Sequence, residues 1–138
     1  MATSVSDVMT SNPKTVDASS SVVEAAKLMR DEDTGVIPIV DGDRLVGTIT
    51  DRDLAIRVVA EDKDPQATSV ADVASRDIVT VDPQQDLDEA LRLMARHQVR
   101  RLPVVEEDGK LVGILSQADV AREATPEETG RVVEEISE

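Results

Sequence analysis

The 138-residue chain carries 29 acidic against 15 basic residues, a formal charge of −14, with no Phe, Tyr, Trp or Cys and a single His. This excludes a disulfide framework, thiolate chemistry and the usual zinc-ligand sets, and it argues against a nucleic-acid surface, which needs basic clusters or stacking aromatics. Apolar runs of about five residues are far short of a membrane span, and Met1 to Ser4 open no basic-then-apolar leader, so a soluble cytoplasmic protein is expected.

In chain order, Ser4-x-x-Asp7 has capping-box spacing and predicts a short helix over Val5 to Met9, which Ser11-Asn12-Pro13 breaks. Thr15-Val16 is extended. Ser21-x-x-Glu24 is a second box, and Val22, Ala25, Ala26 and Met29 make one apolar stripe on a helix running to about Arg30. Gly35 to Val40 reads as a buried strand, with Pro38 where no ladder donor is needed. Asp41-Gly42-Asp43 turns the chain into a returning strand, Leu45 to Ile49. Thr50 then caps a helix carrying Leu54, Ile56, Val58 and Val59, and Glu61 to Pro65 reads as a linker.

The order then repeats. Asp86-x-x-Glu89 caps a helix striped by Leu87, Ala90, Leu91 and Met94, and Arg101 to Val105 with Leu111 to Leu115 form a hairpin. Gly47-Thr48-Ile49-Thr50-Asp51-Arg52-Asp53 returns as Gly113-Ile114-Leu115-Ser116-Gln117-Ala118-Asp119, and Ser4 to Asp7 returns as Ser69 to Asp72. The offset is 65 residues at the start and 66 at the end, which places one inserted residue in the turn Glu106 to Lys110. A period this long that fills the chain means two copies of one unit. The expected boundaries are 4–60 for the first repeat, 61–68 for the linker and 69–124 for the second repeat. Units of this size are near the lower limit for an independent core, so the two should pack as one body. Thr125-Pro126-Glu127-Glu128 starts a C-terminal helix over 125–138, with Val132, Val133 and Ile136 on one face, for docking on its own module or on a partner subunit.

The β-α-β-β-α order, the apolar-Pro-apolar-Val strands and the Gly-x-x-[Ser/Thr]-x-x-Asp endings resemble cystathionine-β-synthase-type (CBS) domains, here as the tandem pair called a Bateman module. Thr50-Asp51-Arg52-Asp53 and His97-Gln98-Val99-Arg100-Arg101-Leu102-Pro103 are similar to stand-alone bacterial pairs that include hypoxic-response proteins. The resemblance implies an α/β (α+β) fold of two β-α-β-β-α repeats packed as one pseudo-two-fold module. It also implies a homodimer of two modules forming a flat disc through their helices.

Two uses compete for Thr50-x-x-Asp53 and Ser116-x-x-Asp119. Both are capping boxes, in which the hydroxyl takes an orphan N–H and the acid reaches back, contributing about 1 kcal/mol with no ligand at all. The same strand-to-helix junction also presents N–H groups to a phosphate, and an Asp there suits the two hydroxyls of a ribose. The resemblance favours the second use: it implies that Asp53 and Asp119 hold ribose and that Thr50 and Ser116 contact ribose or phosphate, in clefts between the repeats. It adds Thr15, Val36 and Ile37 in the first repeat and Thr80, Arg100 and Arg101 in the second as nucleotide contacts.

Arg100 and Arg101 have planar forks that suit phosphate, whereas the first repeat has Gly35 and Val36 there and offers Arg52 beside a neutralising Asp51. The second site therefore ranks first for a di- or triphosphate. The arginines also read as an exposed strand edge or an ion pair with nearby acids, His97 as a solvated surface group, Met29 and Met94 as core, and Asp17 and Asp82 as turn formers.

The expected function is a regulatory sensor of adenine nucleotide (AMP, ADP, ATP or a related adenosyl ligand), acting through dimerisation or an unidentified protein partner. No cofactor, metal, catalytic residue or nucleic acid is expected. The alternative is a ligand-independent homodimeric module of the stress response.

Overall fold

The computed structural model describes residues 3–123; the helix expected over 125–138 lies outside them. The elements run α1 (Val5–Val8), β1 (Thr10–Ser11), β2 (Val16–Asp17), α2 (Val22–Glu32), β3 (Val36–Asp41), β4 (Arg44–Thr50), α3 (Asp51–Asp53), α4 (Val70–Val73), α5 (Leu87–His97), β5 (Arg101–Val105), β6 (Leu111–Ser116) and α6 (Gln117–Glu123). A π-helix over Leu54–Val59 continues α3, and a 3-10 turn over Pro65–Ala67 precedes α4. The architecture is α+β, with two three-stranded sheets ordered β2-β3-β4 and β1-β6-β5.

The two hairpins are near copies. Each carries an irregularity at the same place, between Ile39 and Val40 and between Val104 and Val105. Val40 pairs with Leu45 but Val105 pairs with Leu111, one residue further on, so the insertion does sit in the second turn. Pro38 stands opposite Thr48, whose N–H goes to the Ser75 carbonyl at 2.9 Å and not to β3. A proline facing such a non-hydrogen-bonded position leaves no gap in the β3–β4 ladder.

Contacts divide the described residues into two compact units, 14–78 and a discontinuous one built from 3–13 and 79–123. These differ from the sequence repeats by an exchange of their first helices. Val5 and Val8 of α1 are buried with Val81, Leu87, Leu91, Met94, Leu102 and Leu115 of the second repeat. Val70 and Val73 of α4 are buried with Val16, Val22, Ala25, Ile37 and Ile49 of the first. Met29 and Met94 take matching core positions, as expected.

The exchange also accounts for how α2 and α5 begin. The expected side-chain caps at Ser21 and Asp86 do not form. Instead the first helical N–H groups are taken by backbone of the exchanged segments: Val22 donates to the Thr68 carbonyl at 2.9 Å and Leu87 to the Thr3 carbonyl at 2.8 Å. An orphan donor met by a carbonyl needs no side chain. Both helices then end on a left-handed residue that is not glycine, Asp33 at φ 50° and Gln98 at φ 54°.

The motif glycines make room for the same exchanged segments. A Cβ on Gly47 would fall 2.9 Å from the Ser75 carbonyl oxygen, and one on Gly113 would fall 2.5 Å from Met9 Sδ and 3.0 Å from the Thr10 carbonyl oxygen.

Candidate functional site

Each unit assembles one of the two hydroxyl–acid pairs at the end of its last hairpin strand. In the 14–78 unit, Thr50 ends β4 opposite Val36, the first residue of β3. Thr50 Oγ1 accepts the Asp53 N–H at 3.0 Å, and Asp53 Oδ2 accepts the Thr50 N–H at 2.9 Å. In the other unit Ser116 ends β6 opposite Arg101. Ser116 Oγ accepts the Asp119 N–H at 3.1 Å, and Asp119 Oδ2 accepts the Ser116 N–H at 3.1 Å. Both capping boxes are therefore closed, and the cap is a real use of these residues.

The remaining lone pairs distinguish the carboxylates. Asp119 is 3% exposed, and the Thr10 hydroxyl of β1 donates to Oδ1 at 3.2 Å and to Oδ2 at 3.3 Å. Asp53 is half-buried, with Arg57 Nε 3.8 Å from Oδ1. Arg57 also donates to the Val73 and Ala74 carbonyls, each at 3.4 Å, tying the π-helix to the end of α4. Neither Thr10 nor Arg57 stands out in the sequence. The repeat register alone marks Thr10, because it matches Ser75, which bridges to β4 at Thr48 as Thr10 pairs with β6 at Ile114.

The other expected residues fall around these pairs. Thr15 is half-buried one residue before the Val16–Ile39 pair of β2 and β3. Thr80 is half-buried one residue before Val81, which bridges to Val104. Ile37 is 2% exposed, its side chain buried within the core. Arg100 and Arg101 are exposed at the start of β5, next to Ser116 in register, and the Arg100 carbonyl accepts the Gln117 N–H at 2.8 Å. Arg52 is exposed, and its guanidinium enters no ion pair or hydrogen bond among the described residues. His97 is exposed at the end of α5. Asp17 and Asp82 form the expected turns, accepting N–H groups from Ser19 at 2.9 Å and Gln84 at 2.8 Å.

A pair of hairpin units, each ending in a hydroxyl–acid cap and completed by the other repeat's first helix, defines a tandem-repeat module. The CBS domain model matches residues 5–60 and 70–125, and the chain belongs to the CBS domain family. It is 41% identical to the CBS domain-containing protein YhcV of Bacillus subtilis over 135 residues, covering 97% of this chain and 95% of that protein. It is 40% identical to Hypoxic response protein 1 of Mycobacterium tuberculosis over 121 residues, 87% of this chain and 84% of that one.

Solved structures share the fold, three of them as follows. Hypoxic Response Protein I with two coordinated zinc ions matches at TM-score 0.80 and 39% identity, over 89% of this chain and all of that one. CBSX2 in complex with AMP matches at 0.75 and 32%, over 86% and 93%. The CBS domain pair of MJ0100, in complex with 5′-methylthioadenosine and S-adenosyl-L-methionine, matches at 0.74 and 28%, over 88% and 95%. CBS pair proteins of this kind are regulatory. Among the described residues no three His, Cys, Asp or Glu side chains cluster to hold a metal ion, and no helix is long and apolar enough to cross a membrane.

Proposed function

We propose that this chain is a regulatory sensor whose units bind an adenine nucleotide or related adenosyl ligand, with Asp53 and Asp119 as ribose acceptors. The observation that carries this reading is the pairing of each acid with a hydroxyl at a strand end, beside Val36 in one unit and Arg101 in the other. Thr50 and Ser116 contact ribose or phosphate, Thr15 and Thr80 border the base with backbone of Val36 and Ile37, Arg100 and Arg101 are the cations for phosphate in the second unit, and Arg52 is the cation on the helical turn after β4 in the first. The AMP and S-adenosylmethionine complexes of structural neighbours support it. The chain works as a cytoplasmic homodimer or on a protein partner, and it catalyses no reaction of its own. Ile56 and Val59, 51% and 74% exposed on the helix after β4, suit a subunit contact.

Calorimetry with AMP, ATP, S-adenosylmethionine, NADH and cyclic dinucleotides tests the reading. Heat is expected from at least one adenosyl compound, to be lost in Asp53→Ala combined with Asp119→Ala. No heat from any of them at high protein concentration overturns it.

One observation favours a second reading, a ligand-independent interaction module: Asp119 is buried and already accepts from Ser116 and Thr10. On that reading Asp119→Ala lowers stability by at least a cap's worth, about 1 kcal/mol, and self-association persists unchanged.

A further inference from the structure

The two sites are built on one plan but differ at the residue that precedes the first strand of each hairpin. In the unit holding Asp119, that residue is Arg100, and its carbonyl accepts the Gln117 N–H at 2.8 Å. In the 14–78 unit the same two positions are Gly35 and Asp51, joined by the same bond at 2.9 Å. A cation with a neutral amide has thus become a residue with no side chain beside an acid.

Asp51 also uses the space that the glycine leaves. A Cβ on Gly35 would lie 2.9 Å from one Asp51 carboxylate oxygen and 3.3 Å from the other, so the carboxylate is folded back over the glycine. The Arg52 backbone N–H holds Oδ1 there at 2.8 Å. No guanidinium or ammonium pairs with Asp51 among the described residues, and the guanidinium of the neighbouring Arg52 is exposed and forms no ion pair with it.

We infer that Asp51, seated on Gly35, makes the 14–78 site selective for an adenosyl ligand without phosphate, best one bearing a cationic sulfonium at the 5′ end. The inference rests on the adenosyl reading proposed above. In that reading the phosphate end lies toward Arg100 in the second repeat, and its counterpart in the first is the ground that the Asp51 carboxylate covers. A phosphate brought there meets a like charge; a sulfonium meets an opposite one. Discrimination of this kind is strengthened by the repulsive element as much as by the attractive one.

The test reads this site alone. Gly35 is one of six glycines in the chain, so its amide is resolvable in a spectrum of the 15N-labelled full-length protein. S-adenosylmethionine and 5′-methylthioadenosine are expected to shift it at concentrations roughly tenfold below those needed with AMP or ATP. Asp51→Asn keeps an acceptor for the Arg52 N–H and removes the charge, and it should narrow that preference to about threefold or less. Asp51→Gln, which copies the second repeat, should do the same, and either spectrum shows directly whether the variant is folded. Equal affinities in the wild type, or a preference that survives both substitutions, overturns the selectivity while leaving adenosyl binding intact. No shift of Gly35 by any of the four compounds overturns the adenosyl reading of this site and the selectivity with it.

Discussion

The Thr10 hydroxyl hydrogen-bonds to Asp119 from 109 residues away, lying 3.2 Å from one carboxylate oxygen and 3.3 Å from the other. The bond fixes a two-residue strand to the start of α6 and supplies a donor to a carboxylate that is 3% exposed. Leaving a buried carboxylate short of a donor costs more than an exposed one loses. Thr10→Val, which keeps the shape and removes the hydroxyl, should lower stability by about 1–3 kcal/mol. Urea unfolding measures this, and unchanged stability would mean that the bond contributes nothing.

A ligand diol at Asp119 would have to take over the place of the Thr10 hydroxyl. With a saturating adenosyl ligand at that site, amide exchange at Val8 to Ser11 should therefore quicken. Slower exchange there would show that the ligand binds with the Thr10 bond in place.

Gly47 and Gly113 are both close-approach positions. A methyl at Gly47 meets the Ser75 carbonyl oxygen at 2.9 Å, and one at Gly113 meets the Met9 side chain and, behind it, the Thr10 carbonyl oxygen at 3.0 Å. Gly47→Ala should cost about 1–3 kcal/mol, as overpacking does, and Gly113→Ala should stay costly even once Met9 is shortened to Ala, because the backbone oxygen remains. Thermal unfolding of the variants measures both, and full recovery of the Gly113→Ala loss by Met9→Ala would assign that clash to the side chain alone.

Asp17 is held below the ordinary carboxylate range, first by the Ser19 hydroxyl and then by the Ser19 N–H, with burial opposing slightly. A folded-state value below the unfolded one means that the contribution is present at neutral pH and is lost as pH falls through the folded value. Ser19→Ala should therefore raise the Asp17 midpoint in a carboxyl NMR titration, and an unmoved midpoint would mean that the Ser19 hydroxyl contributes nothing to it.

Val59 is 74% exposed on the π-helix. If the proposed subunit contact uses that face, Val59→Lys should convert a dimeric mass to a monomeric one in light scattering, with no change in unfolding midpoint attributable to the core. A dimer of undiminished affinity would move the contact elsewhere.

Much of this fold is written locally. The apolar stripes Val22 to Met29 and Leu87 to Met94 mark α2 and α5 because a helical face repeats within a few residues. Both hairpins followed from the same short-range signals, and the extra turn residue from the change of offset between the repeats. The two acid–hydroxyl pairs were legible for the same reason, since a capping box spans four residues.

What stayed hidden is long-range. β1 is two residues long and exists through its pairing with Gly113 and Ile114; a strand that short has no period of its own. Similarity between repeats reveals which segments are alike, not which ones pack, so it could not show that Val5 and Val70 exchange cores. The partners of Asp53 and Asp119 needed that exchange, because Thr10 arrives on it and Arg57 anchors to it. The widening of the helix after Asp53 into a π-helix has no signal in Leu54 to Val59 that we can identify.

The crossing of α1 and α4 also bears on how such a chain can be cut or built. A chain with one repeat would lack the carbonyl that Thr68 presents to Val22 and the valines that Val70 and Val73 place in the core. It would have to borrow them from a second molecule, with an association set by concentration. Joining two copies end to end makes the loan intramolecular, at an effective concentration fixed by the tether between them. Dilution therefore cannot separate the lender from the borrower, and each half of the gene is needed for the other half to complete its core.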